Sequence, residues 1–395
     1  MNCSQHQLIF KPHPVELSRG GTRREPTRSV SHRPPNFADQ FDYYTLLFDC
    51  FFISSTKVII TAPSFFNLAS SLRRMVITTF PSATVCSFRI RNLERHSQIH
   101  LSVPQSTTAI RLDSELGQFV LRPHRNHSHF FDGKRVIFTL SKNNRLEWIV
   151  DWVRFNRDIH GANAVLLYDN ASTDYSVDHL ANSLGKISGI ERLCIVSWPF
   201  LYGPQGLDAK NFWDSDFCQY GAWEHARWMF LQHARSVMNS DIDELVISRS
   251  GVSVFAAAER SLLGIIRYRG NWVHGFIDRT RVATAVDPIR VVDFDHYLRH
   301  EVANHWRIRA QRQNICPPKW TVVPSKCPDH AQWAPHRIRG WLNSLSLSHD
   351  FTFRHFREIG NHWKYDRSSR ETFDSTNYVH DERMCADFAR VNWTS

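Results

Sequence analysis

The feature that most constrains the fold is an alternation of short apolar runs and helical repeats that begins at Lys134. Residues 135–140 and 164–168 are apolar runs with the length of buried strands. Between them, apolar side chains at helical spacing predict a helix from Leu146, which Gly161 should end. Strands that alternate with helices in this way form parallel βαβ units. The sequence therefore predicts an α/β fold with a mostly parallel sheet.

The alternation continues toward the middle of the chain. The further predicted elements are a helix over residues 175–184, a strand over 190–196, a helix over 217–234 and a strand over 236–240. Asn143 and Asn144 are predicted to cap the helix that starts at Leu146. In an open α/β sheet, ligands bind beyond the carboxyl ends of the strands. Polar residues that directly follow these strands are therefore the candidate site residues.

Two carboxylates, Asp241 and Asp243, follow the last of these strands. In an extended segment, side chains two residues apart share a side, and two close carboxylates repel each other unless a cation lies between them. Mg²⁺ and Mn²⁺ prefer such oxygen ligands, with phosphate oxygens completing the shell. The sequence therefore predicts Mn²⁺ or Mg²⁺ at this pair, with Glu244 pointing away from Asp243. An ordinary acidic loop is the alternative interpretation.

A second polar cluster, residues 169–174, follows the strand over residues 164–168. Asp169 stands at the tip of this strand, where a carboxylate can accept hydrogen bonds from a base or a ribose. Asn170, Ser172 and Asp174 are also ordinary turn and cap residues before a helix. For these three residues a turn role and a binding role both stay open.

Several motifs in order give the chain a family resemblance. They are Leu140-Ser141-Lys142-Asn143-Asn144 with Leu146-Glu147-Trp148, Tyr168-Asp169-Asn170 with Ser172-Thr173-Asp174, Gln219 on a helix, and Asp241-Ile242-Asp243-Glu244-Leu245. Over roughly residues 134–367 the chain resembles the GT-A-fold glycosyltransferases of the family 92 (DUF23-like) and family 2-like type. It departs from that pattern at Asn144, where the family commonly has Glu, and at Leu245, where it commonly has Phe. Later blocks that start at Lys319, His336 and Phe353 are also similar to the family.

The resemblance implies a GT-A-like (Rossmann-like), mostly parallel sheet with helices on both faces. It also implies metal-dependent, inverting transfer of a sugar from a nucleotide-diphosphate donor to a hydroxyl of a glycan, polysaccharide or lipid-linked acceptor. His355 is implied as a metal ligand beside Asp241 and Asp243. The implied donor-binding residues are Asp169, Asn170, Asp174, Lys142, Asn143, Gln219, His336 and Arg354. Inversion requires a general base, which stays open among Glu244, Glu224, Asp278 and Asp350, with the two glutamates as the catalytic candidates.

Charge and motif content limit the other functions that such a chain could have. The net charge of +10 prompts a nucleic-acid-binding hypothesis, but no recognition motif is present and the charge is dispersed beyond the N-terminal region. A nucleotidyltransferase usually has a Gly-rich loop after its first strand, and residues 140–145 contain no Gly. A metal-dependent phosphoesterase needs further His and Asp ligands at strand ends. We therefore expect a nucleotide-sugar donor and an acceptor as partners, and no nucleic acid.

The chain is predicted to divide into four parts. These are a tail over residues 1–74 that is basic and disordered over 1–40 and apolar over 41–66, a small β-rich module over 75–133, the GT-A-like domain over 134–370 and an extension over 371–395. Asp42, Asp49 and Lys57 interrupt the apolar segment, which favours a buried strand pair or disorder over a membrane span. Eight scattered Cys indicate a reducing compartment. We expect a cytoplasmic protein with possible peripheral membrane association through the basic tail, and its oligomeric state stays open.

Overall fold

The computed structural model describes residues 6–204, 212–276, 287–299, 315–341, 343–360 and 372–394. The strands in these residues are β1 (Gln7–Phe10), β2 (Val15–Glu16), β3 (Thr45–Leu47), β4 (Asp49–Ser54), β5 (Lys57–Pro63), β6 (Val76–Phe80), β7 (Thr84–Val85), β8 (Phe88–Leu93), β9 (His96–Ser102), β10 (Ala109–Ser114), β11 (Gly117–Leu121), β12 (Arg135–Ser141), β13 (Ala164–Asp169), β14 (Arg192–Ser197), β15 (Ser236–Asn239), β16 (Glu244–Ser248), β17 (Ile265–Val273), β18 (His296–Leu298), β19 (Ile315–Val322), β20 (Gln332–Ala334), β21 (Arg337–Arg339), β22 (Leu347–Phe356) and β23 (Tyr378–His380). The α-helices in these residues are α1 (Phe37–Gln40), α2 (Ala69–Arg73), α3 (Leu146–His160), α4 (Val177–Leu184), α5 (Phe217–Met229), α6 (Val254–Arg260) and α7 (Glu382–Arg390). Asp278, one of the candidate bases, lies outside the described residues.

The largest sheet of the described part of the chain has nine strands, in the order β1-β14-β13-β12-β15-β19-β17-β22-β16. Strands β1, β14, β13, β12 and β15 pair in parallel. The other half is mixed, because β19 runs antiparallel to both of its neighbours and β16 runs antiparallel to β22, whereas β17 and β22 are parallel. The protein is therefore α/β with a large mixed sheet.

Helices cover both faces of the parallel half of the sheet. Successive side chains of a strand face opposite sides, and β12 shows this clearly. Ile137 packs in one core with Trp152 of α3, whereas its neighbours Val136 and Phe138 pack in a second core with Trp223 of α5. The apolar runs that predicted these strands are therefore buried on both sides.

The predicted elements differ from the structure mainly at their ends. Gly161 ends α3 in the left-handed conformation, as predicted. The N-cap of α3 is Arg145 and makes no side-chain cap bond, so the prediction that Asn143 and Asn144 cap this helix is wrong. Helix α5 ends at Met229 rather than near residue 234.

The expectation of disorder over residues 1–40 is wrong for the part of this segment that the structure describes. Strand β1 pairs in parallel with β14 at the edge of the large sheet. Arg24 and Arg28 are buried, and Arg28 forms an ion pair of 2.7 Å with the buried Asp214. The composition of this segment indicated disorder because its many basic residues suggested exposure to solvent. It carries no information on the distant partners that bury Arg24 and Arg28.

The apolar segment over residues 41–66 supplies strands β3, β4 and β5. The predicted buried strand pair is present, because β4 and β5 pair antiparallel. These two strands belong to a four-stranded sheet with the order β4-β5-β9-β8. A second four-stranded sheet has the order β11-β10-β6-β7. The β-rich module thus begins near Thr45, ahead of the boundary predicted at residue 75. Across the described ranges, no helix has the length and apolar character needed to cross a membrane.

Buried hydrogen bonds join this β-rich module to the large sheet. Oδ2 of Asp49 in β4 lies 3.0 Å from Nε2 of His225 in α5. On the other side of the imidazole, Nδ1 lies 2.6 Å from the hydroxyl of Tyr168 in β13. All three side chains are buried, and residues of β4 and β5 share one hydrophobic core with α5. The module is therefore an integral part of the folded protein.

Candidate active site

The carboxyl ends of four parallel strands meet at one edge of the large sheet. Ser141, Asp169 and Ser197, the last residues of β12, β13 and β14, are in register. Strand β15 ends beside them at Asn239 and leads to Asp241. This is the edge at which open α/β sheets bind ligands, and both predicted polar clusters lie on it.

Asn143 joins the loops that follow β12 and β13. Its backbone N–H donates to Ser172 Oγ at 2.8 Å, and its side-chain Oδ1 accepts from the Thr173 N–H at 2.6 Å. Its φ of 52° is left-handed, which Asn tolerates better than most residues. Asn143 thereby holds the loop that ends at the exposed Asp174, and contacts of these two residues with a donor stay predictions.

Asp169 presents a buried carboxylate at the tip of β13. Its Oδ2 accepts from the Ser172 N–H at 3.2 Å, whereas its buried Oδ1 accepts no hydrogen bond from the described residues. Burial raises the pKa of Asp169, opposed by bonds from Ser172 and by the charge of Lys142. Buried polar atoms are normally paired, so a ligand that donates a hydrogen bond would complete this site. Lys142 lies close enough to contribute to the same field.

Asn170 fixes the loop after β14. Its Nδ2 donates to the carbonyl oxygens of Trp198 at 2.7 Å and Phe200 at 2.8 Å. The amide donors of Asn170 thus position the loop that carries Tyr202, which favours the turn role that had stayed open for this residue.

The acidic segment forms a turn rather than an extended strand. The backbone N–H of Asp241 donates to Oε2 of Glu244 at 3.0 Å. The ammonium of Lys319 lies 2.7 Å from Asp241 Oδ2 and 3.0 Å from Glu244 Oε2. A lysine ammonium thus lies between Asp241 and Glu244, and the cation expected between Asp241 and Asp243 stays a prediction. Burial raises the pKa of Glu244 to about 7, against the opposing charge of Lys319.

His355 completes the other side of this turn. Its Nε2 lies 3.0 Å from Oδ2 of Asp243, and its Nδ1 lies 3.6 Å from Oε1 of Glu244. Glu244 therefore approaches the same imidazole as Asp243, and the prediction that it points the opposite way is wrong because the segment turns. The ring stacks on Trp272 with centroids 4.1 Å apart. Burial lowers the pKa of His355, but the carboxylate of Asp243 outweighs it and raises the pKa to about 10.

The chemistry of Asp243 and His355 fits a divalent cation. Asp243 Oδ2 and His355 Nε2 share a 3.0 Å hydrogen bond, so a cation bound by both atoms would replace the proton between them. Metal binding to a histidine releases its proton. Among the residues that the structure describes, no three His, Cys, Asp or Glu side chains converge as a metal-ligand set. A cation here would therefore take further ligands from phosphate oxygens and water, as Mg²⁺ usually does.

Gln219 and Tyr202 form a wall next to the acidic turn. The Tyr202 hydroxyl donates to Oε1 of Gln219. Burial raises the pKa of Tyr202 well above its ordinary value, with smaller effects from Asp216 and Asp241. The carboxylate of Asp241 is thus close enough to act on this hydroxyl, and a contact of Gln219 with a donor stays a prediction.

His336 is exposed on the turn between β20 and β21. The carbonyl of the preceding Pro335 accepts from Asn239 Nδ2 at 2.7 Å. Because Asn239 is two residues before Asp241, the turn that carries His336 lies against the strand end that leads to the acidic turn. Its contact with a donor stays a prediction.

Glu224, one of the two predicted bases, faces the β-rich module instead. Its carboxylate accepts from Gln98 Nε2 at 2.7 Å, from the backbone N–H of Trp333 at 2.6 Å and from Trp228 Nε1 at 3.2 Å. The side chain is buried. These contacts are those of a structural carboxylate rather than of a general base.

Arg354 and Asp350 also have partners elsewhere. Arg354 is buried and donates to Asp381 Oδ2 at 2.5 Å, with its guanidinium 4.3 Å from the Tyr297 ring centre. Asp350 accepts from the backbone N–H and the hydroxyl of Ser250 at 2.9 and 2.6 Å. Neighbouring residues of a strand point to opposite faces, which separates Arg354 from the site that His355 enters.

Sequence reasoning missed two residues of this site. Lys319 stood in a recognised block without a role, and only the pairing of β19 with β15 brings its strand beside the acidic turn. Trp272 lies in β17, in register with His355 of β22. Neither residue has a local signal, because each reaches the site through the sheet register.

Comparisons with known proteins add little to this geometry. No family model matches the chain. A search of curated proteins also gives no match. Among solved structures, the mannosyltransferase Ktr4p from S. cerevisiae matches with a TM-score of 0.24 and 10% sequence identity, over 36% of this chain and 40% of that chain. A likeness of this size carries no weight for the fold or the function.

Proposed function

We propose that the protein is a metal-dependent glycosyltransferase that moves a sugar from a nucleotide-diphosphate donor to a hydroxyl acceptor. One observation carries the proposal. Asp243 and His355, a carboxylate and an imidazole with the chemistry of metal ligands, lie 3.0 Å apart at the same sheet edge as Asp169, whose buried Oδ1 accepts no hydrogen bond from the described residues.

Asp169 is proposed to bind the nucleoside of the donor. A ribose hydroxyl or a base N–H that donates to Oδ1 would pair an oxygen that is otherwise desolvated without a partner in the described chain. Asn143 and Asn170 hold the loops on either side through the hydrogen bonds given above. The loops around Asp169 are therefore braced before the donor arrives.

Asp243 and His355 are proposed to hold the divalent cation, Mn²⁺ or Mg²⁺. The cation would supply a Lewis acid for the diphosphate leaving group, whose charge grows as the glycosidic bond breaks. Trp272 holds the plane of the imidazole by stacking on it. Asp241, predicted as a further ligand, is paired with Lys319, so we assign it to the shape of the turn.

Glu244 is proposed to orient the site rather than to contact the acceptor. It is buried and contacts Lys319 on one side and His355 on the other. A carboxylate in this position keeps the imidazole facing Asp243. The inverting course implied by the resemblance would in addition need a base at the acceptor hydroxyl.

Some of the basic side chains are enclosed in the protein rather than presented to a nucleic acid. Arg24, Arg28, Arg227 and Lys319 are buried. Their charges meet carboxylates or carbonyl groups inside the protein, as the Arg28–Asp214 pair shows. Cations used in this way are not available to bind phosphates of a nucleic-acid backbone.

The proposal is tested with a thermal-shift screen of UDP, GDP, dTDP and CMP, with and without Mn²⁺. A nucleotide that binds only the folded state raises the melting temperature by mass action. We expect one diphosphate to stabilise the protein in a Mn²⁺-dependent way. Turnover of the matching nucleotide sugar should fall by about a hundredfold or more in Asp243→Asn and His355→Gln.

Matched controls are Asp39→Asn and His179→Gln, whose side chains are exposed and lie on α1 and α4. They should leave both the nucleotide shift and the turnover unchanged. The assigned cation site is wrong if Asp243→Asn and His355→Gln keep full activity. It is also wrong if the nucleotide raises the melting temperature equally with and without Mn²⁺.

A further inference from the structure

A cleft of about 330 Å³ opens between the β-rich module and the β20–β21 hairpin. Its lining includes Trp213, Asn92, Glu94, His330, Gln332 and Arg339. Trp213 is 43% exposed, which is unusual for the largest apolar side chain in a folded protein. The backbone of Trp213 is left-handed, with a φ of 54°. A bulky residue in that region is strained, and such strain is most often kept where function needs it.

The walls of the cleft are rigid. Gln332 is buried and forms two hydrogen bonds with the backbone of Glu94, accepting at 2.9 Å and donating at 2.8 Å. Arg339 forms an ion pair with the Glu94 carboxylate and holds its guanidinium 5.3 Å from the Trp213 ring centre. The indole is therefore supported by an Arg that is itself held by a buried carboxylate. A ligand would meet a preformed surface.

The chemistry of the lining favours a sugar ring. One flat apolar surface, Trp213, is surrounded by amide, imidazole and guanidinium groups, and Leu93 is the other large apolar side chain of this lining. The carboxylate of Glu94 already partners Arg337 and Arg339, which reduces the attraction for an anion. A pyranose has an apolar C–H face for the indole and hydroxyls for the polar rim.

The cleft is tied to the proposed catalytic centre through the hairpin. Gln332 and Arg339 lie on β20 and β21, and the Pro335 carbonyl between these strands accepts from Asn239 Nδ2 at 2.7 Å. Asn239 is two residues before Asp241. One rigid hairpin thus contacts the strand that leads to the acidic turn and also forms a wall of the cleft.

A second connection runs through two loops. Gly203 packs so closely on Ser215 that an added Cβ would lie 2.7 Å from the Ser215 Cα. Gly203 follows Tyr202, which borders Asp241, and Ser215 is two residues after Trp213. The indole is therefore joined to the wall of the donor site by close backbone packing.

We propose that this cleft is an acceptor subsite that binds an uncharged sugar ring on the face of Trp213. The proposal rests on the glycosyltransferase function proposed above and adds the class of acceptor, a neutral glycan. Its hydroxyl-rich ring would stack on the indole and bond to Asn92 and His330 at the rim.

The test is direct glycan binding by the full chain without nucleotide. Wild type, Trp213→Ala, Trp213→Phe and the control Leu262→Ala, which removes an exposed apolar side chain from another surface, are applied to a printed array of defined neutral and sulfated glycans. Hits are confirmed by saturation-transfer NMR with the free oligosaccharide. We expect neutral glycans to bind, Trp213→Ala to weaken binding about tenfold or more, and Trp213→Phe to retain part of it. Melting temperatures of the variants report whether each one folds.

The outcomes separate this proposal from the proposed function. Neutral-glycan binding that needs Trp213 supports the subsite even if no nucleotide binds. Mn²⁺-dependent nucleotide binding with no neutral glycan bound, or with glycan binding unchanged in a folded Trp213→Ala variant, overturns the subsite and leaves the donor site standing. Binding of sulfated glycans alone also overturns it.

Discussion

The ammonium of the buried Lys319 lies 2.7 Å from the carboxylate of Asp241, whose side chain is partly exposed. Lys319 is 1% exposed as a side chain and also lies 3.0 Å from Glu244. Burial lowers the pKa of this lysine, but the two carboxylates outweigh the effect and raise it. The lysine is therefore charged, and it holds the turn that carries Asp243.

Lys319→Met should strongly destabilise the protein. The substitution leaves the buried carboxylate of Glu244 without its cation and close to Asp241, and breaking a buried ion pair typically costs about 3–5 kcal/mol. Urea unfolding measures the loss. The matched control is Lys57→Met in β5, which removes an exposed lysine and should change the midpoint little. Equal midpoints for both variants would contradict the buried-pair assignment, and Lys319→Met with Glu244→Gln should recover part of the loss.

Stability should fall between pH 6.5 and pH 4 because of His160. Burial lowers the pKa of His160 from 6.5 to about 4. Its Nε2 lies 2.7 Å from the Val246 carbonyl and its Nδ1 lies 3.3 Å from the Val254 nitrogen, an arrangement that fits the neutral ring. Below pH 6.5 the unfolded chain binds a proton that the folded protein does not. The stabilisation is complete above pH 6.5 and is lost as the pH falls, by roughly 3 kcal/mol at pH 4.

His160→Gln should remove the share of this pH dependence that belongs to His160, because an amide can donate to Val246 without titrating. His96 and His100, whose pKa values burial lowers to about 3 and to about 4, should keep their shares. The measurement is the free energy of unfolding in urea at a series of pH values. His179→Gln, which changes an exposed histidine on α4, is the control and should keep the wild-type slope. An unchanged slope in His160→Gln would exclude His160 as the source.

Asp49→Ala should destabilise the large sheet from within the β-rich module. The carboxylate lies 3.0 Å from His225 Nε2 and accepts from the backbone N–H groups of His13 and Cys50 at 3.1 and 2.9 Å. Its removal leaves buried donors unpaired, at a cost of about 2 kcal/mol or more. Residues 1–133 contain no Trp, so tryptophan fluorescence reports only the rest of the chain. In Asp49→Ala, the unfolding transition seen by fluorescence should shift by the same amount as the transition seen by far-UV circular dichroism. The control Asp39→Ala, which changes an exposed residue, should shift neither transition. If the two transitions of Asp49→Ala separate, the two parts of the chain unfold independently.

Gly203→Ala should cost more stability than Gly133→Ala. Both glycines have a positive φ, of 106° and 68°, so both substitutions introduce backbone strain. An added Cβ at Gly203 would lie 2.7 Å from the backbone of Ser215, whereas Gly133 has nothing within 4 Å. The difference in unfolding free energy should be about 1–3 kcal/mol. Equal costs would show that the two loops do not pack as described.

Local periodicity was enough to predict the βαβ core. The apolar run over residues 164–168 and the helical spacing from Leu146 match β13 and α3 within a residue, because each element carries its own pattern. The N-terminal region was mispredicted because its order depends on distant partners. From the sequence alone, Arg28 is expected to be exposed to solvent. It is buried in the structure because it forms an ion pair with the distant Asp214.

In the candidate site, too, the residues with a local pattern were predictable and those that depend on distant contacts were not. Asp169, Asp241 and Asp243 follow apolar strands, so their position at the sheet edge could be inferred from the pattern. The orientation of Glu244 could not, because it depends on a turn that the segment adopts. Lys319 enters through the register of β19, which no local signal reports.

Strand β1 has a consequence for the order in which the chain folds. Its partner is β14, with Gln7 opposite Leu193 and Phe10 opposite Val196. During synthesis, whatever precedes it, β1 emerges long before β14 exists, and the edge of the growing sheet closes only after the intervening β-rich module has been made. Pairings so remote in sequence slow folding and expose open strand edges to other chains. The nascent chain is therefore vulnerable to aggregation while β14 has been made but β1 has not yet paired with it.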